Sequence, residues 1–187
     1  MGLRRLNHDI GARRLYRWIA TAFYRVGALM GAIVAASTAI NGTQEAETAF
    51  DRNATIPANA LEAGSIVRIR AQGIHTSTTG AETHSLILKI GATTVYTAAA
   101  IDPANNDIFV IDLEVCIRTA GVAGTCVGAG SALPAGASGT GTMKAVHLAS
   151  TAIDTTVDNV VAVFVDRQAA ATDGDSMRLD HLSVEVL

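Results

Sequence analysis

Five histidines are the first residues to weigh for chemistry: His8, His75, His84, His147 and His181. A metal-binding helix needs two imidazoles four residues apart on one face, and no such pair and no H-E-x-x-H occurs here. A serine nucleophile needs a strained strand-to-helix elbow. The nearest approach to G-x-S-x-G, Gly136-Ala137-Ser138-Gly139-Thr140, sits in a run of small residues instead. Gly128-Ala129-Gly130 and Gly139-Thr140-Gly141 lack the third glycine of a dinucleotide fingerprint, and no G-K-[ST] is present. Asp173-Gly174-Asp175 has two of the oxygens of a calcium loop but not the rest, and reads as a tight turn before a last strand. Cys116 and Cys126 flank a turn at Thr119–Gly124 and could face one another across a hairpin. In a reducing cytoplasm they would remain small thiols, and two cysteines exclude a four-cysteine zinc site. No motif calls for a cofactor, a metal or an enzyme.

What must position these residues follows from size and composition. At 187 residues the chain is long enough for one core, or for one core and an arm. Hydrophobic residues make up 49%, which excludes a disordered chain, while aromatics are only 4%. The excess lies in Ala, Val, Thr and Gly, which suit a strand-rich domain with many turns. Charge is divided unevenly. Residues 1–25 hold six arginines and one aspartate, a net of +5, against eight basic and sixteen acidic residues in the remainder, a net of −8. The total of −3 argues against a nucleic-acid-coating protein, and we expect no specific nucleic-acid partner. The split itself points to two parts that meet different surroundings.

The basic part has helical periodicity. Leu15, Trp18, Ile19, Ala22, Val26, Leu29 and Ile33 recur at three- and four-residue steps along one stripe, with Arg14 and Arg17 opposite and Arg13 beside them. Asn41-Gly42 supplies a stop. Such a stripe suits a membrane anchor or export signal, a helix lying on a lipid surface, a helix folded back on its own domain, or one that docks on a partner protein. The apolar core Val26–Ala39 is shorter than the about 20 residues a spanning helix needs, so a membrane partner is not expected. A stripe left in water would be an apolar patch that soluble monomers avoid. We therefore read residues 1–45 as a basic, partly helical docking arm, with Leu15, Trp18, Ile19, Ala22, Val26, Leu29, Ile33, Arg13, Arg14 and Arg17 as its docking residues.

From Glu45 onward the period becomes two. Val67, Ile69 and Ala71 alternate with Ile66, Arg68 and Arg70, and Leu86, Leu88 and Ile90 with Ile87 and Lys89. Thr93–Thr97 follows Gly91 closely enough for a hairpin. The clearest run sets Phe109, Ile111, Leu113, Val115 and Ile117 against Val110, Asp112, Glu114 and Cys116. With strands at 46–53, 142–149, 160–165 and 177–187, about eight short strands are predicted, joined by loops of Gly, Asn, Asp and Thr. Residues 119–142, rich in glycine and small side chains, read as one long loop. An antiparallel sandwich over 46–187 is the expected body.

Several segments of this body also carry a resemblance. Ala54-Thr55-Ile56-Pro57-Ala58-Asn59-Ala60-Leu61, followed by Gly64-Ser65-Ile66-Val67-Arg68-Ile69-Arg70-Ala71-Gln72-Gly73, resembles a turn and strand of jelly-roll virion surface proteins of tailed bacteriophages. Leu86–Gly91 with Thr93–Tyr96 is similar to their hairpin. Asp112–Thr125, Asp154–Asn159 with Val160–Val165, and Leu179–Leu187 resemble later strands in the same order. The resemblance spans about residues 46–187. It implies an all-β, antiparallel jelly-roll sandwich, here preceded by an N-terminal helical arm. It further implies a non-enzymatic structural protein of the virion, a capsid decoration protein or, alternatively, a head- or tail-fibre module that binds host glycans. The implied partner is the major capsid protein or another virion protein. A homotrimer and a place on the capsid surface, after assembly in the host cytoplasm, complete the expectation.

Overall fold

In a computed structural model of the chain the described residues are 28–32, 35–41, 46–77, 83–135, 142–167 and 175–187. Their secondary structure is eleven β-strands and no helix. Seven strands form one sheet: β1 (Ala28–Ala32), β2 (Ile40–Asn41), β4 (Ile66–Thr76), β7 (Ile108–Thr119), β8 (Gly124–Leu133), β9 (Lys144–Ile153) and β11 (Ser176–Val186). Four form the other: β3 (Thr48–Ile56), β5 (His84–Ile90), β6 (Thr93–Ile101) and β10 (Asn159–Arg167). The spatial orders are β1-β11-β4-β7-β8-β9, with β2 also on β11, and β3-β10-β5-β6. Every pairing is antiparallel. The described residues form an all-β sandwich.

The two-residue period of each strand explains why the sheets stack. Phe109, Ile111, Leu113, Val115 and Ile117 of β7 all point inward and are fully buried. They are joined by Val67, Ile69 and Ala71 of β4 and by Leu86, Leu88 and Ile90 of β5. Phe50 of β3 stacks on Phe109 of β7 across the layers, with ring centroids 6.3 Å apart. Each large side chain so buried contributes roughly 1.5–3 kcal/mol before ordering costs. Gly73 of β4 is opposite Phe109, and a Cβ there would collide with that ring and with the Arg178 carbonyl. The aromatic fits because the neighbouring strand has no side chain at that point.

Three expectations are corrected. The expected helical stripe runs to Ile33, but residues 28–32 are a strand that pairs with β11, Ala28 opposite Val186 and Ala32 opposite Ser183. The rest of the expected helix lies outside the described residues. The sheet also starts before residue 46, because both β1 and β2 bond to β11. Finally, residues 119–142 are not one loop, since β8 occupies Gly124–Leu133 between β7 and β9. Its small residues let the backbone lie close to β7: a Cβ on Gly130 would meet the Asp112 carbonyl. The β8–β9 hairpin widens the larger sheet and bends it toward β6, where the Thr93 hydroxyl donates to the Ala152 carbonyl at 2.8 Å.

Candidate interaction surface

Of the docking residues read from sequence, Leu15, Trp18, Ile19, Ala22, Val26, Ile33, Arg13, Arg14 and Arg17 lie outside the described residues. Leu29 lies in β1, with its backbone opposite Glu185. The position of β1 nonetheless fixes where the preceding segment joins the body. Ala28 is beside Val186, and Val186 is beside Val67. Leu187 exchanges two backbone hydrogen bonds with Ile66, at 3.0 and 2.8 Å. The chain therefore enters the sandwich at the end where it also finishes.

Four connections crowd that same end, and they are tied to one another. In the β3–β4 loop (57–65), the Ala58 N–H donates to Asp158 Oδ1 at 2.8 Å and the Asn59 N–H to the Thr155 carbonyl at 2.8 Å. Asn59 takes a left-handed φ of 60°, as the Pro57–Leu61 turn requires, and Gly64 follows with φ 93°. The Gly64 N–H reaches the Ile117 carbonyl at 2.8 Å. The β7–β8 turn (120–123) is joined to the β9–β10 loop (154–158) by a reciprocal pair. Gly121 N–H donates to Thr155 Oγ1 at 2.8 Å, and Thr155 N–H to the Gly121 carbonyl at 3.1 Å. Inside the β9–β10 loop the buried Asn159 amide donates to the Asp154 and Val157 carbonyls, at 2.9 and 3.0 Å. Gly91 of the β5–β6 turn, at φ 58°, lies where a Cβ would stand 2.5 Å from Asn159 Oδ1. The Asp154 carboxylate accepts from the Thr156 hydroxyl and N–H, which hold its pKa below the usual value.

The surface that these ties support is rich in small apolar side chains. Val122 is 74% exposed at the β7–β8 tip and Val157 50% exposed on the adjoining loop. Pro57, Ala58, Ala63, Ala92, Ala120 and Ala123 are exposed around them, with Glu62, Arg118 and Asp158 as the exposed charges. Such an arrangement can bury small apolar side chains against another surface without first having to order its own loops.

The opposite end holds polar groups inside. His75 of β4 and His84 of β5, 1% and 6% exposed, come from different sheets and place their rings 4.9 Å apart. A His75 ring nitrogen lies 3.1 Å from the Pro134 carbonyl, and the ring meets Phe109 edge-on at 5.6 Å. Asp107 and Asp175 are buried near the strand ends. Asp107 caps the Ala104 N–H, and Asp175 accepts from the Ser77 hydroxyl at 3.4 Å. The spacing of the five histidines in the sequence does not reveal this pair. Its signal was parity: His75 continues the inward series Val67, Ile69, Ala71, Gly73. Among the described residues no group of three or more His, Cys, Asp or Glu could hold a metal ion. Cys126 is buried opposite Ile117 and Cys116 faces outward opposite Val127, so the two thiols lie on opposite faces of the sheet and are free.

The outward face of β11, β4 and β7 is a ladder of compensated charges. Arg68 donates to Glu114 at 2.6 Å and lies 3.7 Å from Glu185, while Arg70 donates to Asp112 at 3.1 Å. The Glu114 bond, with Glu114 and Glu185 charge, raises the Arg68 pKa. Exposed pairs of this kind add little stability and keep the face solvated. Among the described residues no helix is long and apolar enough to cross a membrane.

No protein-family model matches the chain, and no curated protein matches it. Among solved structures the chain is similar to the D431N mutant VP2 protein of infectious bursal disease virus, from derived T=1 particles. The TM-score is 0.32 and the identity 11%, over 87% of this chain and 32% of that one. The chain thus spans about a third of the length of that protein.

Proposed function

We propose that this chain is a non-enzymatic structural protein of a bacteriophage virion, a capsid decoration protein held on the shell by the segment before Ala28. The observation that carries the reading is the strand order. The order β1-β11-β4-β7 stacked on β3-β10-β5-β6 is that of an eight-strand jelly roll, to which β8 and β9 add a hairpin. The motifs that resemble phage surface proteins fall at its joints. The Pro57–Leu61 turn passes the chain from the smaller sheet to the larger, and Leu86–Tyr96 makes the β5–β6 hairpin.

The mechanism is mass action: a segment that binds only the assembled lattice lowers the free energy of the closed shell. The partner is the major capsid protein or a neighbouring virion protein, met in the host cytoplasm during assembly and held on the capsid surface. A homotrimer would multiply three weak attachments by avidity. No residue has a catalytic role in this reading. The amphipathic residues Leu15, Trp18 and Ile19 supply the affinity, and Arg13, Arg14 and Arg17 supply steering and salt sensitivity.

Two measurements test the proposal. Quantitative mass spectrometry of purified virions should find copies comparable in number to the shell subunits, whereas a handful per particle would mean a fibre. Full-length Trp18→Asp should bind capsids more weakly than Arg4→Ala does, because a charge placed in a buried contact costs more than a lost rim contact. Equal binding by both variants would remove the arm from the attachment.

A further inference from the structure

We propose that the tied end of the sandwich, bearing Val122 and Val157, is the face by which the body seats on the virion shell, leaving the histidine end pointing outward. This deepens the reading above and rests on residues 1–27 being bound by that shell. Three observations converge on it.

The first is where the chain enters. Ala28 is beside Val186, next to the strand end formed by Ile66 and Leu187, so the 27 preceding residues leave from the tied end. Once they are bound, the surface next to their point of departure is held at the highest effective concentration against the shell. The second is composition. Val122 and Val157 stand 74% and 50% exposed among alanines and Pro57, with exposed Val160 and Leu187 near them, whereas at the far end the exposed large apolar side chain is Met143. Exposed apolar side chains gathered on one end mark a contact surface more readily than scattered ones. The third is order. The Gly121–Thr155, Asn59–Thr155 and Ala58–Asp158 bonds hold three loops in one arrangement, so docking does not have to pay for fixing them. The partner surface is thus a folded shell protein presenting small and apolar side chains with little charge, adjacent to the site that takes residues 1–27.

The test uses full-length chains and capsids of the source phage assembled without this protein, with bound copies measured against concentration. The double variant Val122→Asp/Val157→Asp should bind at least tenfold more weakly, and Val122→Ser/Val157→Ser should weaken in the same direction. Circular dichroism and thermal unfolding of both should match the parent, since both positions are exposed. Asn105→Asp, on the β6–β7 loop at the other end, should bind as the parent does. Trp18→Asp is run beside them. If it loses binding while both valine variants keep it, the arm reading stands and the seating face is wrong. If the valine variants lose binding and Trp18→Asp keeps it, the face stands and the arm reading falls. Unchanged binding in all of them, or equal loss in Asn105→Asp, overturns the seating face.

Discussion

The two ends of the sandwich are built on opposite plans. At one, four connections share hydrogen bonds, and among Glu62, Arg118 and Asp158 they present valine, alanine and proline to solvent. At the other, beneath exposed Asp102, Asn105 and Lys144, polar groups are also held inside: two histidines from different sheets are in ring contact, His75 edge-on to Phe109, with two buried aspartates near the strand ends. Loops that satisfy one another can afford an apolar exterior. Strand ends that bury imidazoles keep their polarity inside, where it fixes how the two sheets meet. A single core runs between the two, so the difference lies in the ends and not in the body.

The largest test strikes where the histidine end meets the core. Phe109→Ala removes a fully buried ring that touches Phe50 and His75 and fills the space left by Gly73. It should cost about 3–5 kcal/mol in urea unfolding. A loss under about 1 kcal/mol would mean that this end is not packed on the ring as described. Leu113→Ala, midway between the ends, should cost roughly 2–5 kcal/mol by the same measurement.

A smaller effect belongs to the tied end. Thr155→Val keeps the shape of a buried side chain and removes the acceptor of the Gly121 N–H. Leaving that donor unsatisfied should cost about 1–3 kcal/mol and speed amide exchange in both 120–123 and 154–158. Exchange that changed in only one of the two loops would break the claim that they act as a unit. Gly91→Ala forces a left-handed alanine against Asn159 and should cost roughly 1–2 kcal/mol.

The smallest effect is in pH. The folded-state pKa of Asp154 is held low, chiefly by the Thr156 hydroxyl, and that of Asp51 chiefly by the Thr38 hydroxyl. A lowered folded pKa adds stability above the unfolded value, near 3.9, and that stability is lost as pH falls through the folded pKa. Thr156→Val should therefore lower stability slightly at neutral pH and leave it nearly unchanged at pH values below the folded pKa, which flattens the acid limb below about pH 4. A curve that kept its full acid slope would show that the hydroxyl does not hold the carboxylate.

The same contrast explains what could be read from sequence. β7 was legible because every second residue from Phe109 to Ile117 enters the core, which leaves a period of two in the letters themselves. The bends at Asn59 and Gly64 were legible because few residues accept a positive φ. β8 was hidden, since Gly128-Ala129-Gly130-Ser131 pairs through its backbone and has almost no apolar alternation to reveal it. β1 was hidden differently: Leu29 falls three residues after Val26, so a helical stripe seemed to run on into what is an edge strand on β11. The ties between loops left no local trace, because Ala58 and Asp158 stand 100 residues apart. The histidine pair was written only in strand parity, and needed the two sheets to be laid together before it could be seen.

A cryo-EM reconstruction of the intact virion tests the central claim most directly. Eleven-strand sandwiches should stand on the outside of the shell, with Val122, Val157 and Leu187 toward the capsid and the His75–His84 end toward solvent. Density for the segment before Ala28 should continue from the tied end into the lattice. A virion in which the sandwich is absent from the shell, or stands with its histidine end against the capsid, would contradict it.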